Sequence, residues 1–467
     1  MAKNKNLALD GQGIQKTMSL KNFLGDSVGM IALNGMSGLV GMLTYFYTDK
    51  VGIAAAAAGT IMIIAKIIDA FTDLAMGHIM ERTKSRFGKA RPWIIRMAIP
   101  AFIAVVAIFC VPSQASSAVK FSYGLLSNAF ATAIVYTAIA IPYGCLMAYV
   151  TRSTEERSKM GIFRALLGYI IGMIIAIGLI PLTNALGGDQ AAWIKLGVIF
   201  GIIIAVSLVI AFISNKERYS SQTDADGNVI EEEKIPFFTA VNYMFHNKYW
   251  VIMLLAMVSI NVLYALSGAT GIYYAKWILK DENIVAILGA IGLVPVAIGF
   301  SITGPMIKRF GLAKTARIAL LIGIAGTAAR VAFPYDIWSA LVFGPFISFG
   351  TIPLMAVGGV LVNNTVEYGE WMHGKRLVGM SNSASGFGSK VGSGLGGALI
   401  GWVLALGGYD ASLAAQSPGA LNSILAICIW IPGLMLVLVY VLLRFYDLDA
   451  KYPQIVKELD ERKQKQS

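Results

Sequence analysis

Apolar runs of about twenty residues recur along the whole chain, and they decide which solvent it folds in. A helix of that length rises roughly 30 Å, the hydrocarbon thickness of a bilayer. The runs lie at 27–48, 53–80, 93–112, 121–149, 162–186 and 193–214. Beyond a polar stretch they resume at 250–279, 284–307, 315–334, 337–366, 378–407 and 420–445. Only 14% of the 467 residues are charged, against about 25% in a soluble domain, too few to cover a water-facing surface. The expected fold is an all-α membrane protein of twelve transmembrane helices in two pseudo-symmetric six-helix halves.

The formal charge of +12 raises nucleic acid as a partner, but the basic residues sit in short loops, where topology explains them. The stretch 81–91 carries five Lys or Arg, and 151–164 adds Arg152, Arg157, Lys159 and Arg164. Lys216, Arg218 and Lys234 follow in the central segment, and Lys308, Arg309, Lys314 and Arg317 between the eighth and ninth runs. The alternate loops hold Lys50, Lys120 and Lys195 singly. Because Lys and Arg collect on the cytoplasmic side, both termini and the central loop are expected in the cytoplasm, with no nucleic-acid partner. The domains are then an N-terminal half (1–214), a cytoplasmic central loop (215–248), a C-terminal half (249–445) and a cytoplasmic tail (446–467). The polar, charged first 26 residues do not read as a cleavable signal peptide.

A faint repeat links the halves. Gly77-x-x-x-Glu81-Arg82, followed by Arg86-Phe87-Gly88-Lys89, recurs as Gly304-x-x-x-Lys308-Arg309-Phe310-Gly311, each copy after the second run of its half. Repeated halves around a central site are a common transporter plan; a basic turn between any two helices looks similar.

Ionisable residues inside apolar runs are costly and point to function. The second run holds Lys66, Asp69 and Asp73, whose spacings of three and four place them on one helical face. Two carboxylates that close in low dielectric do not both stay ionised without a cation between them or a proton on one. The pair therefore reads as a site for Na⁺, Li⁺ or H⁺, with Thr72 as an additional oxygen ligand; the plainer reading is that Lys66 and another basic residue neutralise it structurally. Asp26 opens the first run, Arg164 the fifth, and Glu367 closes the tenth; for the last two an interfacial anchor competes with a site role. Lys390 lies among Gly388, Gly392 and Gly396, whose four-residue spacing allows close helix packing, so it is expected to face the bundle interior. A polar stripe of Asn128, Thr132 and Tyr136, then Thr137, Pro142 and Tyr143, together with Tyr264, Tyr273 and Tyr274, offers hydroxyls and rings suited to a sugar, or simply to helix packing. Cys110, Cys145 and Cys428 show no pairing pattern, and His78, His246 and His373 are scattered, so no enzyme motif, cofactor or disulfide is expected.

The block Lys66-Ile67-Ile68-Asp69-Ala70-Phe71-Thr72-Asp73-Leu74-Ala75-Met76-Gly77, continuing through Arg82-Thr83-Lys84-Ser85-Arg86-Phe87-Gly88-Lys89-Ala90-Arg91-Pro92-Trp93, resembles the glycoside–pentoside–hexuronide:cation symporters of the major facilitator superfamily. Tyr45-Phe46-Tyr47-Thr48-Asp49, Ile141-Pro142-Tyr143, Arg164, Glu367-Tyr368-Gly369-Glu370 and Lys390 extend the resemblance over the chain. It implies the major facilitator fold, alternating access, and a coupling cation, Na⁺ or H⁺, on Asp69 and Asp73 with Thr72 and Thr137 as further ligands. It also implies sugar contacts from Asp26, Tyr136 and Arg164, and a place for Lys390 near both sites; Tyr143 joins the expected substrate lining. Ala140 and Gly144 stand where the family carries an acidic and an aromatic sugar contact, so the resemblance carries fold and cation chemistry further than it carries the sugar. The expected partners are a small glycoside or sugar, a monovalent cation and the lipid bilayer, in a bacterial cytoplasmic membrane. A cation-coupled lysolipid carrier is the alternative within transport, and a non-transporting membrane sensor the alternative outside it.

Overall fold

The computed structural model describes residues 16–151, 153–218, 237–374 and 378–466, all helix or short connection. In the first unit, Met1–Glu232, α1 runs Leu20–Lys50 and α2 Ala55–Glu81. The next, α3, is broken at Met97 into Arg91–Arg96 and Ala98–Ala107. Then α4 joins Ser117–Ala129, Phe130–Tyr136 and Thr137–Val150, α5 spans Thr154–Ala185 and α6 Gln190–Ser214. In the second unit, Glu233–Ser467, a short helix Phe237–His246 precedes α7 Lys248–Ile278, α8 Ile284–Phe310 and α9 Leu312–Ala332. The unit continues with α10 Ile337–His373, α11 Val378–Leu406, and α12, made of Pro418–Leu425, Ala426–Trp430 and Ile431–Arg444. A last helix, α13 Leu448–Gln466, covers the tail.

Eleven of these helices are long and apolar enough to cross a membrane; the twelfth position is the broken α3, whose apolar part is only Ala98–Ala107. The helices overrun the apolar runs that mark them. α1 starts at Leu20, so Asp26 lies in its second turn rather than at its opening. Helix α5 starts at Thr154, so Arg164 is nearly three turns in, and α10 continues past Glu367 to His373. Polar residues extend a helix beyond its hydrocarbon segment when they find protein partners there. Outward faces carry Ile99, Ile213 and Leu406, which are 72%, 71% and 88% exposed, as a lipid-facing surface requires.

Small residues set the closest contacts within each unit. A methyl group at Gly392 of α11 would stand 2.4 Å from the Val258 carbonyl of α7, so the four-residue glycine spacing does seat α11 on α7. Among the described residues four π-helical segments interrupt the α-helices: Phe46–Lys50 ends α1, Tyr274–Ile278 ends α7, Phe130–Tyr136 divides α4 and Ala426–Trp430 divides α12.

Candidate functional site

Among the described residues of the first unit, buried Glu156 accepts from the Thr17 and Met18 backbone N–H groups and the Thr151 hydroxyl, and the candidate residues form two further charged clusters. One joins α2 to α4. Asp69 is fully buried, and Asp73 is partly so. The Thr137 hydroxyl lies 2.9 Å from Asp69 Oδ1 and 2.8 Å from Asp73 Oδ1, and Lys66 Nζ is 3.2 Å from Asp69 Oδ2. A hydroxyl has one proton to donate, so it satisfies only one of these carboxylates at a time. The other carboxylate oxygen meets the hydroxyl's lone pairs, a close approach that a proton or a shared cation favours. The formal charge of Lys66, Asp69 and Asp73 together is −1, which one bound monovalent cation or proton cancels. Thr137 reaches this position directly after the π-helical Phe130–Tyr136, whose wider turn lets the Thr137 hydroxyl also approach the Thr132 carbonyl five residues back. Such π segments often mark functional sites.

The neighbours divide into those brought to the pair and those that are not. Tyr136 lies within electrostatic reach of both carboxylates. Thr72 donates 3.0 Å to the Asp69 backbone carbonyl, so its hydroxyl proton is committed along its own helix. The stripe Asn128, Thr132 and Tyr136 is not one α-helical face, because the π segment shifts its register. Asn128 Nδ2 contacts Met62 Sδ of α2 at 3.4 Å, whereas Thr132 donates to the Asn128 carbonyl at 2.8 Å within α4 itself.

The second cluster ties α1, α4 and α5 to the end of α6. Arg164 grips Asp26 with two bonds, Nε to Oδ2 at 2.7 Å and Nη2 to Oδ1 at 2.8 Å. Its Nη1 donates to the Tyr143 carbonyl at 3.0 Å, and its plane lies 3.8 Å from the centre of the Tyr143 ring. Asn215 adds 2.9 Å to Asp26 Oδ1, and the Tyr143 hydroxyl donates 2.6 Å to the Asp26 backbone carbonyl. Asp26 is 0% and Arg164 6% exposed. The carboxylate is therefore sealed and hydrogen-bonded at both oxygens, and Arg164 is no interfacial anchor. Asn215 had escaped sequence reading, since it opens a stretch that scans as linker.

In the second unit Lys390 is half-buried on α11. The tyrosines offered as sugar contacts divide. Tyr273 and Tyr274 are 0% and 1% exposed. Tyr273 packs edge-on against Tyr409, and the Tyr274 hydroxyl donates to the Pro334 carbonyl at 2.7 Å, so both belong to the end of α7 rather than to a sugar platform. Tyr264 is 37% exposed. Glu367 receives the hydroxyl of Tyr452 and thereby holds α13 against α10.

A methyl group at Gly144, where the resemblance would have an aromatic, meets nothing within 4 Å. That part of the α4 surface is open.

Comparison with known proteins agrees with this architecture. Residues 25–450 match the family described as MFS/sugar transport protein. An uncharacterized symporter, YnaJ, of Bacillus subtilis (strain 168) is 32% identical over 455 residues, covering 96% of each chain. An isoprimeverose transporter of Lactiplantibacillus pentosus is 30% identical, covering 90% of this chain and 87% of its own. The glucuronide carrier protein homolog of Escherichia coli (strain K12) is 27% identical, covering 97% and 98%. Among solved structures, the nucleoside transporter NupG superposes with a TM-score of 0.64 at 14% identity over 92% of this chain and all of that one. The chain belongs to the MFS/sugar transport protein family, and it is a multi-pass membrane transporter, not an enzyme.

Proposed function

We propose that the protein couples inward movement of one monovalent cation, Na⁺ or H⁺, to uptake of a glycoside, pentoside or hexuronide by alternating access. The observation that carries this reading is the Thr137 hydroxyl held between Asp69 and Asp73, a geometry that one added positive charge completes. The cation binds there as cargo, with Asp69, Asp73 and Thr137 as oxygen ligands; hard cations take such ligands. Thr72 contributes at most its oxygen lone pairs. A membrane potential adds about 2.3 kcal/mol per charge per 100 mV to the inward step, which is the energy that accumulates substrate.

The bidentate Asp26–Arg164 pair is the substrate-responsive element. A sugar hydroxyl or carboxylate replaces one arm of the pair at little net electrostatic cost, whereas opening it without a substrate leaves a buried charge alone. Tyr143 flanks it, Tyr136 is assigned to substrate from its place beside the carboxylate pair, and the open surface at Gly144 suits a bulkier substrate than an aromatic there would admit. Lys390, half-buried on α11, is the charge we assign to substrate within the second half. The relatives named for isoprimeverose, a glucuronide and sulfoquinovose support a sugar-derived substrate. The termini lie in the cytoplasm of a bacterial cell, by the distribution of Lys and Arg.

Proteoliposomes given an imposed Na⁺ or pH gradient and a panel of glycosides, pentosides and hexuronides test the reading. Uphill uptake of one sugar under one of the gradients is the expected result. Uptake that ignores both gradients, or a lysolipid moving where no sugar does, refutes it.

A further inference from the structure

We infer that the second half carries a binding site for a small monovalent anion, built around Arg330 and separate from the carboxylate site of the first half. A cavity of about 160 Å³ lies among α7, α8, α9, α10 and α12, and its wall includes Ser267, Thr270, Tyr274, Arg330, Ser348 and Cys428. Arg330 is near the end of α9, with its guanidinium stacked 4.8 Å from the centre of the Tyr274 ring. Its Nε is buried and has no hydrogen-bond partner, and among the described residues no carboxylate pairs with it. The acid nearest in sequence, Asp336, caps α10 by accepting the Trp338 backbone N–H at 2.9 Å. Among the described residues, no Asp or Glu lies on the cavity wall.

An arginine stays protonated in any protein environment; the Tyr274 hydroxyl oxygen accepts from the Arg330 guanidinium but brings no charge, and a partly buried cation without a paired anion is costly to keep. The other polar groups of the wall favour the same sign of ligand. The Tyr274 hydroxyl and the Cys428 thiol are turned to the carbonyls of Pro334 and Thr270, at 2.7 and 3.5 Å. The hydroxyls of Ser267, Thr270 and Ser348 are left to donate. A guanidinium fork with neighbouring hydroxyl donors binds a halide or, in bidentate fashion, a carboxylate. A volume of this size admits such an ion with one or two waters, each taking about 30 Å³. One monovalent anion leaves the site neutral.

The test uses the purified full chain in detergent. Equilibrium dialysis with radiolabelled chloride and with radiolabelled acetate is paired with thermal unfolding in sodium chloride, acetate and gluconate at equal sodium. One saturable site per chain is expected, with a saturable rise in Tm for chloride or acetate and none for gluconate, because only anions that fit the cavity stabilise the folded state. Whichever of the two displaces the other at lower concentration identifies the site as a halide or a carboxylate site. Arg330→Gln is expected to weaken binding by roughly tenfold or more and Ser348→Ala by about threefold. If Arg330→Gln fails to fold, the double variant Ser267→Ala/Ser348→Ala takes its place. Absence of saturable binding of both anions to the wild type overturns the inference, as does binding left unchanged by these variants.

Discussion

The second helices of the two halves, α2 and α8, make the same structural connection and carry opposite chemistry. Each ends in a turn whose glycine has a positive φ, Gly88 at 105° and Gly311 at 81°. In each half an acidic residue beyond the sixth helix then binds the start of the third. Glu217 accepts the backbone N–H groups of Lys89, Ala90 and Arg91 at 2.7, 2.9 and 2.6 Å. Asp449 accepts that of Ala313 at 2.7 Å. A carboxylate at a helix N-terminus satisfies unpaired donors and meets the positive end of the dipole. Yet when Gly304 is set on Gly77, the positions of Lys66, Asp69 and Asp73 fall on Leu293, Val296 and Phe300. The scaffold repeats because both halves need it. The charge of α2 does not repeat on α8, and since charge in a membrane helix is expensive, its place on α2 is the reason we assign the cation there.

The comparison is broken most directly by removing the charge. Asp73→Cys is expected to abolish cation-driven accumulation while substrate still equilibrates, whereas Phe300→Leu, the matching site on α8, leaves accumulation intact. Uptake against a gradient in both variants would show that the asymmetry has no bearing on coupling. Next in size is the sealed pair: Arg164→Gln leaves Asp26 buried without its partner, which costs about 3–5 kcal/mol. A fall in Tm that Asp26→Asn largely restores in the double variant is the signature of that charge. Thr137→Ala sharpens the picture at the cation site itself. Loss of one hydrogen bond to a charged group costs about 1.5–3 kcal/mol, so the cation concentration for half-maximal uptake should rise roughly tenfold or more, and Thr137→Ser should restore it. The smallest effect concerns scaffold alone. Gly392→Ala forces α11 away from α7 and should cost about 1–3 kcal/mol of stability, while Gly304→Ala, with nothing within 4 Å, should be neutral. Tm measurements in detergent separate the two.

Much of this was legible in the sequence, for identifiable reasons. Hydropathy gave twelve positions because lipid tolerates no other surface, and the three- and four-residue spacing of Lys66, Asp69 and Asp73 placed them on one face. Hydropathy misjudged helix ends, because Asp26 and Arg164 extend α1 and α5 by pairing with each other rather than by being apolar. Hydropathy says nothing of structure in the tail, where α13 is a helix held to α10 by the Trp371 indole donating 2.7 Å to Glu458. The α-helical period also failed between Asn128 and Thr137. A π segment has no compositional signature, and it directly precedes Thr137, which lies between the two carboxylates, while Thr72 is turned to the Asp69 carbonyl of its own helix.

The central claim is that one positive charge crosses with each substrate by way of Asp69 and Asp73. Recording external pH and Na⁺ while substrate is added to de-energised vesicles tests it most directly. The account predicts that substrate drives alkalinisation or Na⁺ entry in wild type and in Phe300→Leu, and that neither occurs in Asp69→Asn. A substrate-induced cation signal of wild-type size in Asp69→Asn would contradict it.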